Sequence, residues 1–75
     1  MLPANREDQA PTELLNQREV SILNRLTTTL TMAEIAAELY VSTNTVKTHV
    51  AAVYRKLEAT NRREAIVRGR QLHLI

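Results

Sequence analysis

The sequence predicts an all-α fold, a bundle of four short helices, and two observations carry that prediction. Apolar residues recur at helical spacing in four separate segments, and each segment is preceded by a residue able to cap a helix N-terminus. A third observation bounds the answer: a chain of 75 residues holds one domain with a thin core. Cysteine is absent, which excludes disulfides and thiolate metal sites. His49 and His73 lie too far apart in sequence to form a local ligand pair, so no metal site is expected. No apolar run approaches the roughly 20 residues of a membrane span. The opening MLPANREDQAPTE has no positive region followed by an apolar stretch, so it does not read as a signal peptide. The expectation is a soluble, cytoplasmic protein without a membrane partner.

Residues 1–13 hold both prolines among mostly polar residues and read as a linker or disordered extension, leaving a domain over 14–75. The first helix is expected over about 17–27, opened by Asn16-Gln-Arg-Glu19 and lined by Val20, Ile22, Leu23 and Leu26. A second, over about 32–39, is opened by Thr31-Met-Ala-Glu34 and lined by Ile35, Ala36 and Leu39. The fourth, over about 62–72, is opened by Asn61-Arg-Arg-Glu64, with Ala65, Ile66, Gly69 and Leu72 facing inward. In these three starts a cap side chain can bond the N3 amide while the glutamate returns to the cap amide.

The third helix, over about 43–57, differs. Ser42 caps it, but no glutamate follows, and a carboxylate there would repel a phosphate approaching the helix N-terminus. At about 100° per residue, Val50, Val53 and Leu57 fall within about 40° of the Val46 direction. Asn44, Thr48, Ala51 and Arg55 fall opposite, at about 140–200°, with Lys47 flanking them at about 100°. His49 borders the apolar stripe, as a packed or backbone-bonded imidazole would. Tyr40 and Tyr54 read as partly buried packing residues whose hydroxyls reach solvent or a phosphate, and Val41 as a plug in the turn before Ser42.

Two short helices joined by Tyr40-Val41-Ser42, the second longer and basic, make a helix-turn-helix over about 32–51. That motif needs one helix buried along a single stripe and displaying the opposite stripe to a DNA major groove. The outward face of the third helix offers an amide, a hydroxyl, a methyl and two cations, and no acid. Charge agrees: from Lys47 to Arg70, Lys47, Arg55, Lys56, Arg62, Arg63, Arg68 and Arg70 stand against only Glu58 and Glu64. Nothing resembles a nucleophile with its base, a Gly-rich phosphate loop or paired catalytic carboxylates, so neither an enzyme nor a cofactor is expected.

Asn16-Gln-Arg-Glu19, Leu30-Thr-Met-Ala-Glu-Ile-Ala36, Leu39-Tyr-Val-Ser42, Asn44-Thr-Val-Lys-Thr-His49 and Tyr54-Arg-Lys-Leu57 resemble, in order and spacing, the C-terminal domain of LuxR-type transcription regulators, shared with response regulators of the NarL kind. The resemblance implies a tetrahelical, winged-helix-like fold without a wing, recognition by the helix at about 43–57, and a homodimer on an inverted repeat of double-stranded DNA. It implies that Lys47, Thr48 and Ala51 face bases, and that Ser42, Thr45 and the helix start near Thr31 approach phosphates. Thr43 and Asn44 complete the DNA-facing set, with Arg55 and Lys56 as phosphate clamps. It also implies a symmetric contact through the last helix, for which Arg63, Val67, Arg70 and Leu74 are the candidates. RNA polymerase is a further candidate partner.

Thr29 and Glu58 stand where that family usually has glycine, and a positive φ there would cost about 1 kcal/mol. Either those turns differ or the domain is less stable than its relatives. The small Ala51 leaves base contacts to Lys47 and Thr48 and admits a thymine methyl. Two other readings compete: a sigma-factor-like promoter-recognition region, and a module holding an acidic protein partner. The second would show no preference for one DNA site over random duplex.

Overall fold

The computed structural model describes residues 14–75, so the reading of residues 1–13 falls outside the described residues. Within them the chain forms four helices and no strand: α1 (Gln17–Leu26), α2 (Met32–Leu39), α3 (Thr43–Leu57) and α4 (Arg62–Gln71). The caps explain where they start. The Asn16 side chain accepts from the Glu19 amide at 2.8 Å, and Glu19 accepts from the Asn16 amide at 3.0 Å. Thr31 and Glu34 repeat this exchange at 3.1 and 2.8 Å. At α4 the box is only half formed. Asn61 accepts from the Glu64 amide, but the Glu64 carboxylate accepts from the amide and hydroxyl of Thr60, both at 2.8 Å. Those bonds hold the Glu64 carboxyl below its usual value. Ser42 caps α3 alone, accepting from the Thr45 amide at 3.0 Å.

Helix α3 packs against the other three, and α4 also meets α1. The core joins Ile22, Leu23 and Leu26 of α1, Ile35 and Ala36 of α2, and Val46, Val50, Val53 and Leu57 of α3. Leu15, Ala65 and Leu74 complete it, with Val20, Leu39, Val41 and Ile66 packed at its edge. The one glycine permits a close approach: a Cβ on Gly69 would lie 2.8 Å from Leu23 Cδ2 and 3.2 Å from Ile75 Cδ1.

Helix α4 departs from the expected pattern at its end. Leu72, expected inside, is 44% exposed, whereas Leu74, grouped with the outward face, is 8% exposed and in the core. Helical spacing cannot be extrapolated here because α4 stops at Gln71 and His73 turns left-handed at φ 60°. The Leu74 amide then bonds back to the Gly69 carbonyl at 2.8 Å, which brings the Leu74 side chain under the helix. Leu74 therefore drops out of any surface patch around Val67.

The two glycine replacements resolve differently. Glu58 does adopt the left-handed conformation, φ 57°, at the end of α3. Thr29 does not. The end of α1 is closed by both amides and hydroxyls: the Thr27 and Thr28 amides bond the Asn24 and Arg25 carbonyls at 3.2 and 3.1 Å, and the two hydroxyls donate to the same carbonyls at 2.6 Å. No glycine is needed there.

Candidate nucleic-acid interface

The outer face of α3 presents the residues that its periodicity selects. Val46, Val50, Val53 and Leu57 are at most 5% exposed, while Asn44, Lys47, Thr48, Ala51 and Arg55 all face water. No Asp or Glu occurs between Thr43 and Leu57, and α3 is the one described helix with no acid in its first turn. The positive end of its backbone dipole is therefore left for an external anion. Around that end, the Ser42 and Thr45 hydroxyls lie 2.9 Å apart, with Thr43 and Thr45 half-buried. The Thr48 hydroxyl donates to the Asn44 carbonyl at 3.0 Å, so it offers lone pairs and a methyl outward.

Backbone bonds hold the turn of the helix-turn-helix. Tyr40 ends α2 in the left-handed conformation (φ 59°, ψ 41°), and its amide bonds the carbonyls of Ala36 and Ala37. The Val41 amide follows onto Ala36 at 3.1 Å, and its side chain packs on the core. Tyr40 itself was expected to be partly buried and is 94% exposed. The left-handed residue swings its side chain out of the α2 stripe, and Val41 takes the inward place. Tyr54 is half-buried, and burial pushes its phenol pKa up. His49 is half-buried at the margin of the core, as its place on the helix requires.

Three of the seven cations in the basic half bond inward. Lys56 Nζ lies 2.9 and 3.2 Å from the Glu19 carboxylate, which is buried at the start of α1. Burial opposes ionisation of Glu19, but the bonds from Lys56 and the Asn16 amide outweigh it and hold the pKa below its usual value. Arg62 donates to the carbonyls of Leu26, Thr28 and Leu30, each at 2.9 Å. Arg68 Nε donates to the Leu57 carbonyl at 2.9 Å, closing the end of α3. The signal for these roles was thin, because sequence counts a cation without showing which carbonyls lie beside it. Lys47, Arg55, Arg63 and Arg70 remain outward.

The family described as bacterial regulatory proteins, luxR family, matches residues 13–68. The chain belongs to that family. Among curated relatives, it is 39% identical over 71 residues to "Probable transcriptional regulatory protein NarL" of Mycobacterium tuberculosis strain H37Rv, covering 93% of this chain and 33% of the relative. It is 36% identical over 69 residues to transcriptional regulatory protein LiaR of Bacillus subtilis, covering 92% of this chain and 33% of the relative. Among solved structures, the response regulator ChrA of a heme-sensing two-component system superposes with a TM-score of 0.79 at 44% identity, over 81% of this chain and 30% of that one. The chain spans about a third of the length of these relatives.

This luxR-family domain is thus a DNA-binding domain of transcription-regulator type, built on the helix-turn-helix of α2 and α3. Its fold brings Ser42, Thr43, Asn44, Thr45, Lys47, Thr48, Ala51 and Arg55 onto α3 or its cap. Thr31 stands at the start of α2, where its hydroxyl and amide are both engaged by Glu34. Lys56 leaves the expected clamp set, because its ammonium is bonded to a buried carboxylate. No helix of the described residues is long and apolar enough to cross a membrane.

Proposed function

We propose that the domain recognises a specific site in double-stranded DNA by laying α3 in the major groove. The observation that carries this reading is the acid-free outer face of α3, with Lys47 and Arg55 in water opposite a fully buried apolar stripe. Lys47 is the groove cation, Asn44 and Thr48 offer polar atoms to base edges, and Ala51 meets a thymine methyl. Ser42, Thr43, Thr45 and Arg55 hold phosphates, as does Thr31 at the start of α2. The domain acts by binding and not by catalysis, in the cytoplasm, as part of a longer regulator that contacts RNA polymerase.

Selection of bound duplexes from a random library is expected to return one preferred site, with affinity falling steeply as salt rises. Lys47→Ala should lose about 1–3 kcal/mol on that site while the fold stays intact. Unchanged affinity would remove Lys47 from the groove. Binding without any site preference would favour the acidic-partner reading.

Pairing of two copies on an inverted repeat is the second part of the proposal, with Arg63, Val67 and Arg70 as the isologous patch on α4. Val67 is 45% exposed on the helix face turned from the core. One short helix per copy buries less than the roughly 1,200 Å² of a stable interface, so the contact should appear as cooperativity on paired half-sites. Val67→Glu sets like charges across the two-fold axis and should abolish that cooperativity with single-site affinity retained. Equal cooperativity in both proteins would place the contact elsewhere.

A further inference from the structure

Among the described residues, three other than glycine hold the left-handed conformation: Tyr40, Glu58 and His73. Side chains with a Cβ adopt it at a cost that glycine avoids. Each has a visible return in the fold. The Glu58 carboxylate lies 3.5 Å from Arg68, and His73 turns the chain so that Leu74 enters the core. Tyr40 turns the chain so that Val41 packs on the core, but its own side chain takes no part: at 94% exposed, its ring and hydroxyl stand in water.

Its backbone is nonetheless fixed. The Tyr40 amide is bonded to two carbonyls of α2, Val41 beside it packs on the core, and Ser42 caps α3. A tyrosine is thereby displayed from a hydrogen-bonded, left-handed turn two residues ahead of the helix end assigned to the groove. Glycine would make this turn without the cost of a Cβ, so the fold does not require the aromatic side chain, which stays open to a partner. The surroundings suit an anion. The first turn of α3 carries no acid, and the nearest carboxylate in sequence, Glu38, is bonded to Arg25 at 3.0 Å. A phenol is a donor that strengthens when its acceptor is charged.

We infer that Tyr40 donates its phenolic hydrogen bond to a backbone phosphate at the edge of the groove, fixing the register of α3 without reading a base. The inference rests on the proposed groove-facing role of α3. Such a contact acts equally on every sequence. A neutral hydroxyl also displaces no counterion, so it contributes affinity without steepening the salt dependence.

Two variants of the full chain, titrated with a short mixed-sequence duplex, test it. Tyr40→Phe removes the hydroxyl alone and should bind about three- to tenfold more weakly, with melting temperature and salt slope unchanged. Tyr40→Gly also relieves the backbone and should bind at least as weakly while melting about 2–8 °C higher. Weaker binding from a more stable protein is a pairing that a merely structural tyrosine does not give. Wild-type affinity in Tyr40→Phe, as expected for a tyrosine that faces a protein partner, overturns the inference. So does a lower melting temperature in Tyr40→Gly. Lys47→Ala separates this failure from that of the parent reading. If it weakens duplex binding and Tyr40→Phe does not, α3 keeps its role and Tyr40 loses its own. If the wild type binds no duplex, both fall.

Discussion

Lys47 and Arg55 stand in water on the outer face of α3, whereas Lys56 and Arg62 reach back to α1 and the loop after it, onto a buried carboxylate and onto three carbonyls. The same residue types do different work in the two regions. At the seam, cations satisfy polar groups that the fold has withdrawn from water. On the outer face they have no such task and remain available to a polyanion. Net charge in the basic half therefore overstates the charge free for DNA, since Lys56, Arg62 and Arg68 are engaged internally.

The largest expected effect breaks the seam. Arg62→Ala strips the donors from the Leu26, Thr28 and Leu30 carbonyls, of which the Leu26 and Leu30 groups lie in a part-buried setting. Partial access of water limits the penalty to about 2–4 kcal/mol, a large share of the stability of so small a domain. Chemical denaturation should show the loss directly. A change below about 0.5 kcal/mol would mean that water replaces the guanidinium freely.

Glu19→Gln comes next and sharpens the comparison by removing charge while keeping the cap. Lys56 retains 34% of its side-chain surface in water, so the loss should be about 1–3 kcal/mol and not the full cost of breaking a buried pair. The pH dependence carries a definite sign. Because the folded pKa of Glu19 is lowered, its contribution is present above the ordinary value of 4.5 and is lost as pH falls through the folded value. Wild-type stability should thus decline on acidification below about pH 4.5 more steeply than that of Glu19→Gln. Parallel profiles would show that the pair contributes nothing.

Arg55→Ala should have the smallest effect and should fall on DNA alone. It is expected to flatten the log–log salt slope by about one unit, on selected and random duplex alike, with no change in melting temperature. Lys56→Ala provides the contrast: stability should drop while the salt slope holds. An exchange of these two outcomes would reverse the assignment of the two regions.

The four helices were legible in the sequence, with the ends of α1 and α4 falling one residue short of their expected limits. Caps and apolar spacing are local signals, and helix ends depend mostly on local chemistry. The inner and outer faces of α3 were equally legible, because one uninterrupted helix keeps its phase from Val46 to Leu57. What escaped depended on breaks in phase or on distant partners. The left-handed turn at His73 exchanged Leu72 and Leu74, and the one at Tyr40 sent an aromatic ring outward. Glu64 bonded to Thr60, not to the Asn61 amide. Lys56 and Arg62 found partners 37 and 32–36 positions away, a pairing that no local pattern records.

The hold of Arg62 on the end of α1 also bears on the order in which the molecule assembles. Those carbonyls belong to the first helix and the loop after it, yet their donor arrives with the last. The segment between must close before the bonds form, so they belong to a late step, after the locally encoded helices and their first apolar contacts. A late contact changes how fast the native state opens and leaves the folding rate nearly untouched. Arg62→Ala should accordingly accelerate unfolding with little effect on refolding, which makes one guanidinium a determinant of the lifetime of the folded domain.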